Sequence, residues 1–278
     1  MCGWLRDRRY CRALRLTMCP YLHVFGLEIP MYGLMMAIGF LVCSVISWVR
    51  TRRRGLPGEN LIIIAAMVLL VALIGGMLFF LLVTYTPEQI IGFIREGKWD
   101  MLAGGIVFYG ALIGGVLGAW VGSRIAHDDI RNYLDIVVPV IPLGHAIGRI
   151  GCLCAGCCYG RPTHSAIGVV FTEPVGGAPT GIPLLPTQLF ESGANLVIFA
   201  ILMIVSGKTR SKYLTTFLYC ILYGITRFIL EFFRYDSIRG SAGGLSTSQW
   251  ISLGLIAGAL IAAACYQLYK RKRCRQAA

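Results

Sequence analysis

One stretch of the chain concentrates the residue types that do chemistry. Residues 145–163 contain His145, Arg149, Arg161 and four cysteines among glycines and apolar residues. The stretch follows a hydrophobic run, where a charged side chain costs roughly 2.5–3.5 kcal/mol or more unless it faces protein or water. Residues 145–163 are therefore the first candidate for a functional site.

A second polar set lies nearer the C-terminus, on one predicted helix. Tyr223, Arg227, Glu231 and Arg234 follow one another at spacings of four, four and three, which places them on one helical face. One interpretation limits Arg227 and Glu231 to a structural ion pair, although ionisable residues within a membrane usually mark function. Guanidinium groups match phosphate bidentately and stay charged. If both arginine sets face one cavity, the residues indicate a phospholipid site.

The cysteines Cys152, Cys154, Cys157 and Cys158 form the pattern C-x-C-x-x-C-C. This spacing differs from the paired C-x-x-C motifs of structural zinc sites, and an external location favours oxidation. Disulfides that pin the loop are therefore favoured, while apolar packing and metal or redox chemistry stay open. We assign no metal and no cofactor, and we expect His145 to be packed or hydrogen-bonded.

Composition indicates the class of protein. Of the 278 residues, 56% are hydrophobic and only 14% are charged, and the mean hydropathy is +0.70. The chain therefore has too little polar surface for a soluble globule. The net charge of +13 falls in short clusters between apolar runs, which is typical of topology signals, so we expect no nucleic-acid partner.

A hydrocarbon core about 30 Å thick needs roughly 20 helical residues. The sequence predicts an all-α polytopic membrane protein with seven transmembrane helices and a small outer-face loop region. Pro139 and Pro142 interrupt the fourth helix, and residues 166–172 favour a short strand. The predicted spans are 31–49, 61–83, 104–125, 133–148, 189–205, 213–233 and 249–269.

The distribution of lysine and arginine predicts the orientation. Successive connections between the spans lie on alternate sides of the membrane, which places the basic clusters at 50–54, 208–212 and 270–275 on the same side. The positive-inside rule assigns that side to the cytoplasm. We therefore expect the N-terminus outside, the C-terminus in the cytoplasm and the cysteines on the outer face. The predicted regions are a basic extension and outer segment (1–29), a catalytic domain (30–269, with outer loop 152–187) and a basic tail (270–278). We expect translation to begin at Met18, with the first 17 residues playing no role in the fold.

Glycines recur every four residues in the third predicted span. Gly110, Gly114, Gly118 and Gly122 share one helical face, the pattern that lets helix backbones approach closely in lipid. The same interpretation extends to the pair at 254 and 258 in the last span. These glycines therefore predict tight helix packing.

The residues also resemble a known family. His145-Ala-Ile-Gly-Arg-Ile-Gly, followed by Gly156, Tyr159 and Gly160-Arg-Pro-Thr, is similar to the signature loop of the prolipoprotein diacylglyceryl transferases. Blocks at 32–33, 104–110, 186–191, 223–234 and 244–249 resemble further family blocks in the family order. The resemblance covers roughly 32–252, and several blocks in order are more specific than any one alone.

The resemblance implies an enzyme of the bacterial inner membrane with several spans. It would transfer diacylglyceryl from phosphatidylglycerol to the lipobox cysteine thiol of preprolipoproteins, with glycerol phosphate leaving. Its partners would be phosphatidylglycerol, signal peptides with a lipobox cysteine, and membrane lipids. The implied catalytic residues are Arg149, Arg227, Tyr32, Tyr109 and Tyr223. The implied substrate-binding residues are Arg149, Gly160, Gln188, Glu191, Glu231 and Arg234.

Three positions depart from the family pattern. Tyr109 stands where many members carry a histidine, and Cys152 and Cys157 stand where an asparagine and a glutamate are usual. Because a tyrosine with a pKa near 10 is a poor base at neutral pH, the acceptor of the thiol proton stays open. Two alternatives from other classes are a membrane thiol-disulfide oxidoreductase and a non-catalytic lipid or metabolite carrier.

Overall fold

The computed structural model describes residues 14–16, 20–102, 105–209, 211, 213–235 and 241–277. Its helices, in chain order, are α1 (Met31–Arg53), α2 (Gly58–Thr84), α3 (Pro87–Arg95), α4 (Trp99–Leu102), α5 (Phe108–Ile125), α6 (Leu134–Val137), α7 (Ile141–Ala155), α8 (Thr187–Lys208), α9 (Leu214–Glu231) and α10 (Thr247–Ala277). Within the described part of the chain, seven segments are long and apolar enough to cross a membrane: Met31–Arg53, Gly58–Thr84, Phe108–Ile125, Ile130–Ala155, Thr187–Lys208, Leu214–Glu231 and Thr247–Arg273. The predicted all-α polytopic class is confirmed.

The fourth span is broken, as its two prolines predict. Short 3₁₀ turns flank α6. Pro142 lies in the first turn of α7, where backbone N–H groups have no partner within the helix, so the N–H that proline lacks is not needed. The predicted end near residue 148 is wrong, because α7 continues to Ala155. The helix stops at Gly156, whose φ of 70° is left-handed and suits glycine. Part of the predicted outer loop 152–187 is therefore helical.

The chain divides into two compact units, of which the first comprises 1–43 and 134–278. In this unit α8 packs against α7 and α9, and α9 packs against α10. The N-terminal half of α1 lies on α7, since an added Cβ at Gly39 would be 3.0 Å from the carbonyl oxygen of Gly144. Cys43 Sγ also donates to the Val140 carbonyl at 3.3 Å. The first unit thus holds α7, α8 and α9 together.

A small sheet lies in the same unit, built from β1 (Leu14–Leu16), β4 (Val169–Phe171) and β5 (Pro183–Leu184). β4 pairs with β1 in parallel and with β5 antiparallel. The expectation that the first 17 residues play no role in the fold is wrong for Leu14–Leu16, because they cover an edge of β4 that would leave backbone groups unpaired. Residues 1–13 and 17–19, which include Met18, lie outside the described residues.

Two antiparallel hairpins complete the strands: β2 (Tyr21–Val24) with β3 (Leu27–Pro30), and β6 (Ser241–Ala242) with β7 (Leu245–Ser246). The predicted strand at 166–172 is present as β4. The basic tail predicted at 270–278 is helical as far as described, because α10 continues to Ala277. The proposed packing role of Gly254 and Gly258 is wrong for the described residues, since apart from chain neighbours and the backbone of α10 itself no described atom lies within 4 Å of a Cβ added at either.

The second unit, Ser44–Tyr133, is built on the packing of α2 against α5. The four glycines that share one face of α5 lie in this contact and are called the glycine ridge. All four are buried: Gly110, Gly114, Gly118 and Gly122. A Cβ at Gly114 would overlap the Val71 carbonyl, whereas one at Gly115 would meet side-chain carbons only at 3.9 Å. The ridge prediction is confirmed. α3, which the sequence analysis did not predict, begins with a capping box.

Asp128 organises the turn after α5 in the second unit. Its carboxylate accepts hydrogen bonds from the Tyr133 hydroxyl at 2.6 Å and the Asn60 amide at 3.1 Å. The Tyr133 hydroxyl is the main reason that the pKa of Asp128 lies below its ordinary value. A nearby cavity of about 790 Å³ is lined by residues 120–131 and by none of the predicted site residues.

Candidate active site

Glu191 lies at the centre of a buried charged cluster in the first unit. Only 4% of its side chain is exposed, and its Oε1 lies 2.7 Å from Arg149 Nη2. Its Oε2 lies 3.9 Å from the Nη1 atoms of Arg227 and Arg234. The structure therefore joins the two arginine sets that the sequence analysis placed on separate segments.

Glu231 forms the second acidic position of the cluster. Its Oε2 lies 3.0 Å from Arg227 Nη2, which confirms the ion pair expected from the spacing of four. Ser246 Oγ donates to Glu231 Oε1 at 2.9 Å, and Arg227 Nη2 donates to Ser248 Oγ at 3.3 Å. Because Arg227 also faces Glu191, the intrahelical pair is only part of its environment. No role was predicted for either serine, although both lie in the block at 244–249.

The cluster has an excess of positive charge. Three arginines and two glutamates are buried together, leaving one positive charge in excess. Arg149 Nε and Arg227 Nη1 are buried and have no hydrogen-bond partner among the described residues. Buried donors are nearly always hydrogen-bonded in proteins. Each guanidinium group thus keeps one donor that an anion would be able to engage, beside two carboxylate oxygens, Glu191 Oε1 and Glu231 Oε2, that also make no hydrogen bond within the described part of the chain.

Aromatic residues and a histidine border the cluster. His145 Nε2 lies 3.7 Å from Glu191 Oε1, and the His145 ring lies 5.4 Å from the Tyr223 ring between centroids. Tyr32 is 46% exposed and is near enough to Arg149 to interact with it electrostatically. The structure thus brings Tyr32 and Tyr223 to the cluster. Their catalytic roles stay predictions.

Tyr109, the remaining predicted catalytic residue, belongs to the second unit. It lies in the first turn of α5 and is 49% exposed, with its ring 5.8 Å from that of Phe108. Its catalytic role stays a prediction.

Gln188 and Gly160 support the loop that follows α7. The buried Gln188 side chain donates through Nε2 to the Cys157 carbonyl at 2.7 Å, and Thr187 donates to the Cys158 carbonyl at 2.7 Å. Gly160 N donates to Leu185 O at 2.9 Å, and an added Cβ there would lie 2.7 Å from Thr187 Cγ2. Both predicted substrate-binding residues therefore have structural contacts, and their contact with substrate stays a prediction.

Three of the four loop cysteines converge beside the arginines. The sulfur atoms of Cys152, Cys157 and Cys158 lie within 4.8 Å of one another, and all three residues are free cysteines. Arg149 Nη1 lies 3.9 Å from Cys152 Sγ. The favoured disulfide interpretation is therefore not what the structure shows for these three residues.

The backbone holds Cys158 in an uncommon conformation. Its φ of 59° lies in the left-handed region, which costs of order 1–3 kcal/mol for a residue with a side chain. Thiol hydrogen bonds from Cys152 and Cys157, with Arg234 and Arg149 nearby, hold the pKa of Cys158 below its ordinary value. The structure thus maintains a strained cysteine next to two other thiols.

Comparison with known proteins supplies the family. The profile of the family described as prolipoprotein diacylglyceryl transferase matches residues 20–265. The chain belongs to this family. It is 36% identical over 241 residues to phosphatidylglycerol–prolipoprotein diacylglyceryl transferase 2 of Clostridium perfringens, covering 86% of this chain and 91% of the relative. The phosphatidylglycerol–prolipoprotein diacylglyceryl transferase of Clostridium tetani is 37% identical over 230 residues, covering 83% of this chain and 90% of the relative.

A relative from a third organism gives the same result. The phosphatidylglycerol–prolipoprotein diacylglyceryl transferase of Dehalococcoides mccartyi strain 195 is 33% identical over 255 residues, covering 91% of this chain and 93% of the relative. Together with the seven apolar helices, family membership makes the chain a multi-pass membrane protein.

Proposed function

We propose that this chain is an enzyme that transfers the diacylglyceryl group of phosphatidylglycerol to a cysteine thiol of prolipoproteins, forming a thioether. The observation that carries the proposal is a pair of buried arginine N–H donors without a hydrogen-bond partner among the described residues, in a cluster of net positive charge. The two donors are Arg149 Nε and Arg227 Nη1. Family membership and the names of the relatives supply the reaction and both substrates. They favour the transferase over the oxidoreductase and the carrier.

In this reaction the acceptor thiol loses its proton and its sulfur attacks the glyceryl carbon next to the phosphate. The carbon–sulfur bond forms as the carbon–oxygen bond breaks, and glycerol phosphate leaves with the electron pair. Arg149 and Arg227 would hold the phosphate and stabilise the charge that develops on the leaving oxygen. Glu191 and Glu231 would position these guanidinium groups, since each glutamate contacts one of them at 3.0 Å or less.

The finer details of partner and location belong to the same proposal. The acceptor would be the lipobox cysteine of a signal peptide, and the enzyme would lie in the bacterial inner membrane. We place the N-terminus outside and the C-terminus in the cytoplasm, because the basic clusters at 50–54, 208–212 and 270–275 share one side. A C-terminal fluorescent protein that folds only in the cytoplasm should therefore fluoresce, and a dark but intact fusion would contradict this orientation.

The test of the transfer uses purified full-length protein, phosphatidylglycerol and a lipobox peptide. Mass spectrometry should detect the peptide plus diacylglyceryl with wild type, and Arg149→Ala and Arg227→Ala should each lower the rate by about 10²–10³-fold. Arg131→Ala is the matched control, because Arg131 is an exposed arginine paired with Asp129 in the second unit. The proposal is wrong if folded wild-type protein yields no product with any phospholipid donor.

A further inference from the structure

The cluster of Cys152, Cys157 and Cys158 takes no part in the phosphate binding and leaving-group stabilisation that Arg149 and Arg227 would supply. Their three sulfur atoms lie within 4.8 Å of one another. A zinc–sulfur bond is about 2.3 Å long, so three thiolates around one zinc ion lie about 3.8–4.0 Å apart. The three sulfurs would need to approach one another by about 1 Å at most to reach that spacing.

The backbone around the three cysteines is fixed independently of any ligand. Gln188 and Thr187 each donate to a cysteine carbonyl at 2.7 Å, and Cys157 N donates to Cys152 O at 3.1 Å. Gly176 fits against Cys157 so closely that an added Cβ would lie 2.5 Å from the Cys157 Cβ. The three thiols are thus held together by contacts that persist without a disulfide, as a preformed metal site requires.

The charges near the cluster also favour thiolates. Arg149 Nη1 lies 3.9 Å from Cys152 Sγ, and the arginine cluster has one positive charge in excess. Soft thiolate ligands select thiophilic ions such as Zn²⁺ over Mg²⁺ or Ca²⁺. A catalytic zinc site typically has three protein ligands and one open position.

We propose that Cys152, Cys157 and Cys158 bind a thiophilic divalent cation of the zinc class, whose open position takes the acceptor thiol of the prolipoprotein as a thiolate. The identity of this fourth ligand rests on the proposed transfer. A metal-bound thiol is deprotonated outright, so the acceptor proton passes to water when the thiol binds. The sulfur then forms its bond to the glyceryl carbon while glycerol phosphate leaves with the electron pair, and the metal keeps its oxidation state. This site would supply the activation for which the sequence left no assigned base.

The first test measures metal binding without catalysis. Reduced full-length protein is titrated with Zn²⁺ and, separately, with Co²⁺, whose thiolate charge-transfer absorption reports the number of bound sulfurs. We expect one ion per chain, with the absorption strongly reduced in Cys152→Ser, Cys157→Ser and Cys158→Ser. Cys154→Ser is the matched control and should keep wild-type binding. The proposal is overturned if folded, reduced wild-type protein does not bind the metal stoichiometrically. It is also overturned if Cys154→Ser loses as much of the thiolate absorption as the other three variants.

Alkylation provides a measurement that needs no variant. Bound Zn²⁺ should protect three thiols of the wild-type chain from a maleimide, and mass spectrometry of its peptides should locate them at 152, 157 and 158. Protection elsewhere, or a disulfide among these three in protein isolated without reductant and capped with alkylating agent, would overturn the site.

The second test addresses the fourth ligand. A lipobox peptide added to the Co²⁺ protein should raise the thiolate absorption by about one third, as expected for a fourth sulfur. The same peptide with serine in place of its cysteine should leave the absorption unchanged. An absorption increase without diacylglyceryl transfer would support the metal site and contradict the proposed function. Transfer at the wild-type rate by a metal-free Cys157→Ser, Cys158→Ser variant would support the function and overturn the metal's role.

Discussion

Replacing Glu191 by glutamine removes the negative charge at the centre of the arginine cluster while keeping the shape of the side chain. At an effective dielectric constant of about 20, unit charges 2.7 Å apart attract by about 6 kcal/mol and charges 3.9 Å apart by about 4 kcal/mol. Burial of the charges offsets most of this attraction. Removing one partner of a buried ion pair costs about 3–5 kcal/mol, because the other charge is left uncompensated.

We therefore expect Glu191→Gln to lower the free energy of unfolding by about 3 kcal/mol, the low end of that range, since glutamine can still accept one hydrogen bond. At about 2–4 °C per kcal/mol for a chain of this size, the melting temperature should fall by about 6–12 °C. The measurement is thermal unfolding in detergent, followed by intrinsic tryptophan fluorescence. Glu173→Gln is the control, because Glu173 is exposed in the loop of the same unit.

Two outcomes would refute this reasoning. A melting temperature of Glu191→Gln equal to that of Glu173→Gln would mean that the cluster does not depend on its central carboxylate. Strict additivity of Glu191→Gln and Arg149→Gln would mean that their 2.7 Å contact carries no coupling energy. We expect the double variant to be more stable than the sum of the single effects predicts, because it removes both charges of one pair.

Two further predictions concern the second unit. Gly114→Ala should destabilise the contact of α2 with α5 by about 1–3 kcal/mol, because the added Cβ overlaps the Val71 carbonyl, whereas Gly115→Ala should be nearly neutral in the same thermal assay; equal melting temperatures would contradict the ridge. Asp128→Asn should destabilise at neutral pH, because the lowered pKa of Asp128 means that its ionised form favours the folded state. That contribution is present above the ordinary pKa of 3.8 and is lost as pH falls through the lowered value, so the difference from wild type should shrink in acid. A difference that grows in acid would contradict the assignment.

The sequence predicted the seven spans because membrane thickness sets helix length, and apolar runs of about 20 residues are visible without tertiary information. The end of α7 was not predictable in this way. Arg149 looks like the boundary of a span when it is viewed alone, but in the structure it lies inside α7 and contacts Glu191, 42 positions further along the chain. This buried pairing, which the local sequence does not reveal, accompanies the continuation of the helix to Ala155.

The site shows the same distinction between local and distant information. Helical spacing correctly placed Arg227 and Glu231 together, because residues four apart share a face. The central position of Glu191 required the packing of α8 against α7 and α9. The cysteine spacing concealed the cluster, because the left-handed Gly156 turns the chain between Cys152 and Cys157 and brings their sulfurs together.

Charge links the arginine cluster to the proposed metal site. Three thiolates around a divalent cation carry one negative charge, which balances the one positive charge in excess on the neighbouring arginines and glutamates. Without the cation, Cys158 alone as a thiolate would leave the cluster with the same one negative charge, so the arginines keep their attraction for the phosphate of the lipid. Metal removal should therefore lower kcat while the KM for phosphatidylglycerol stays unchanged or falls. An increase in KM at unchanged kcat would instead mean that the cation positions the lipid, and the acceptor thiol would then need another base.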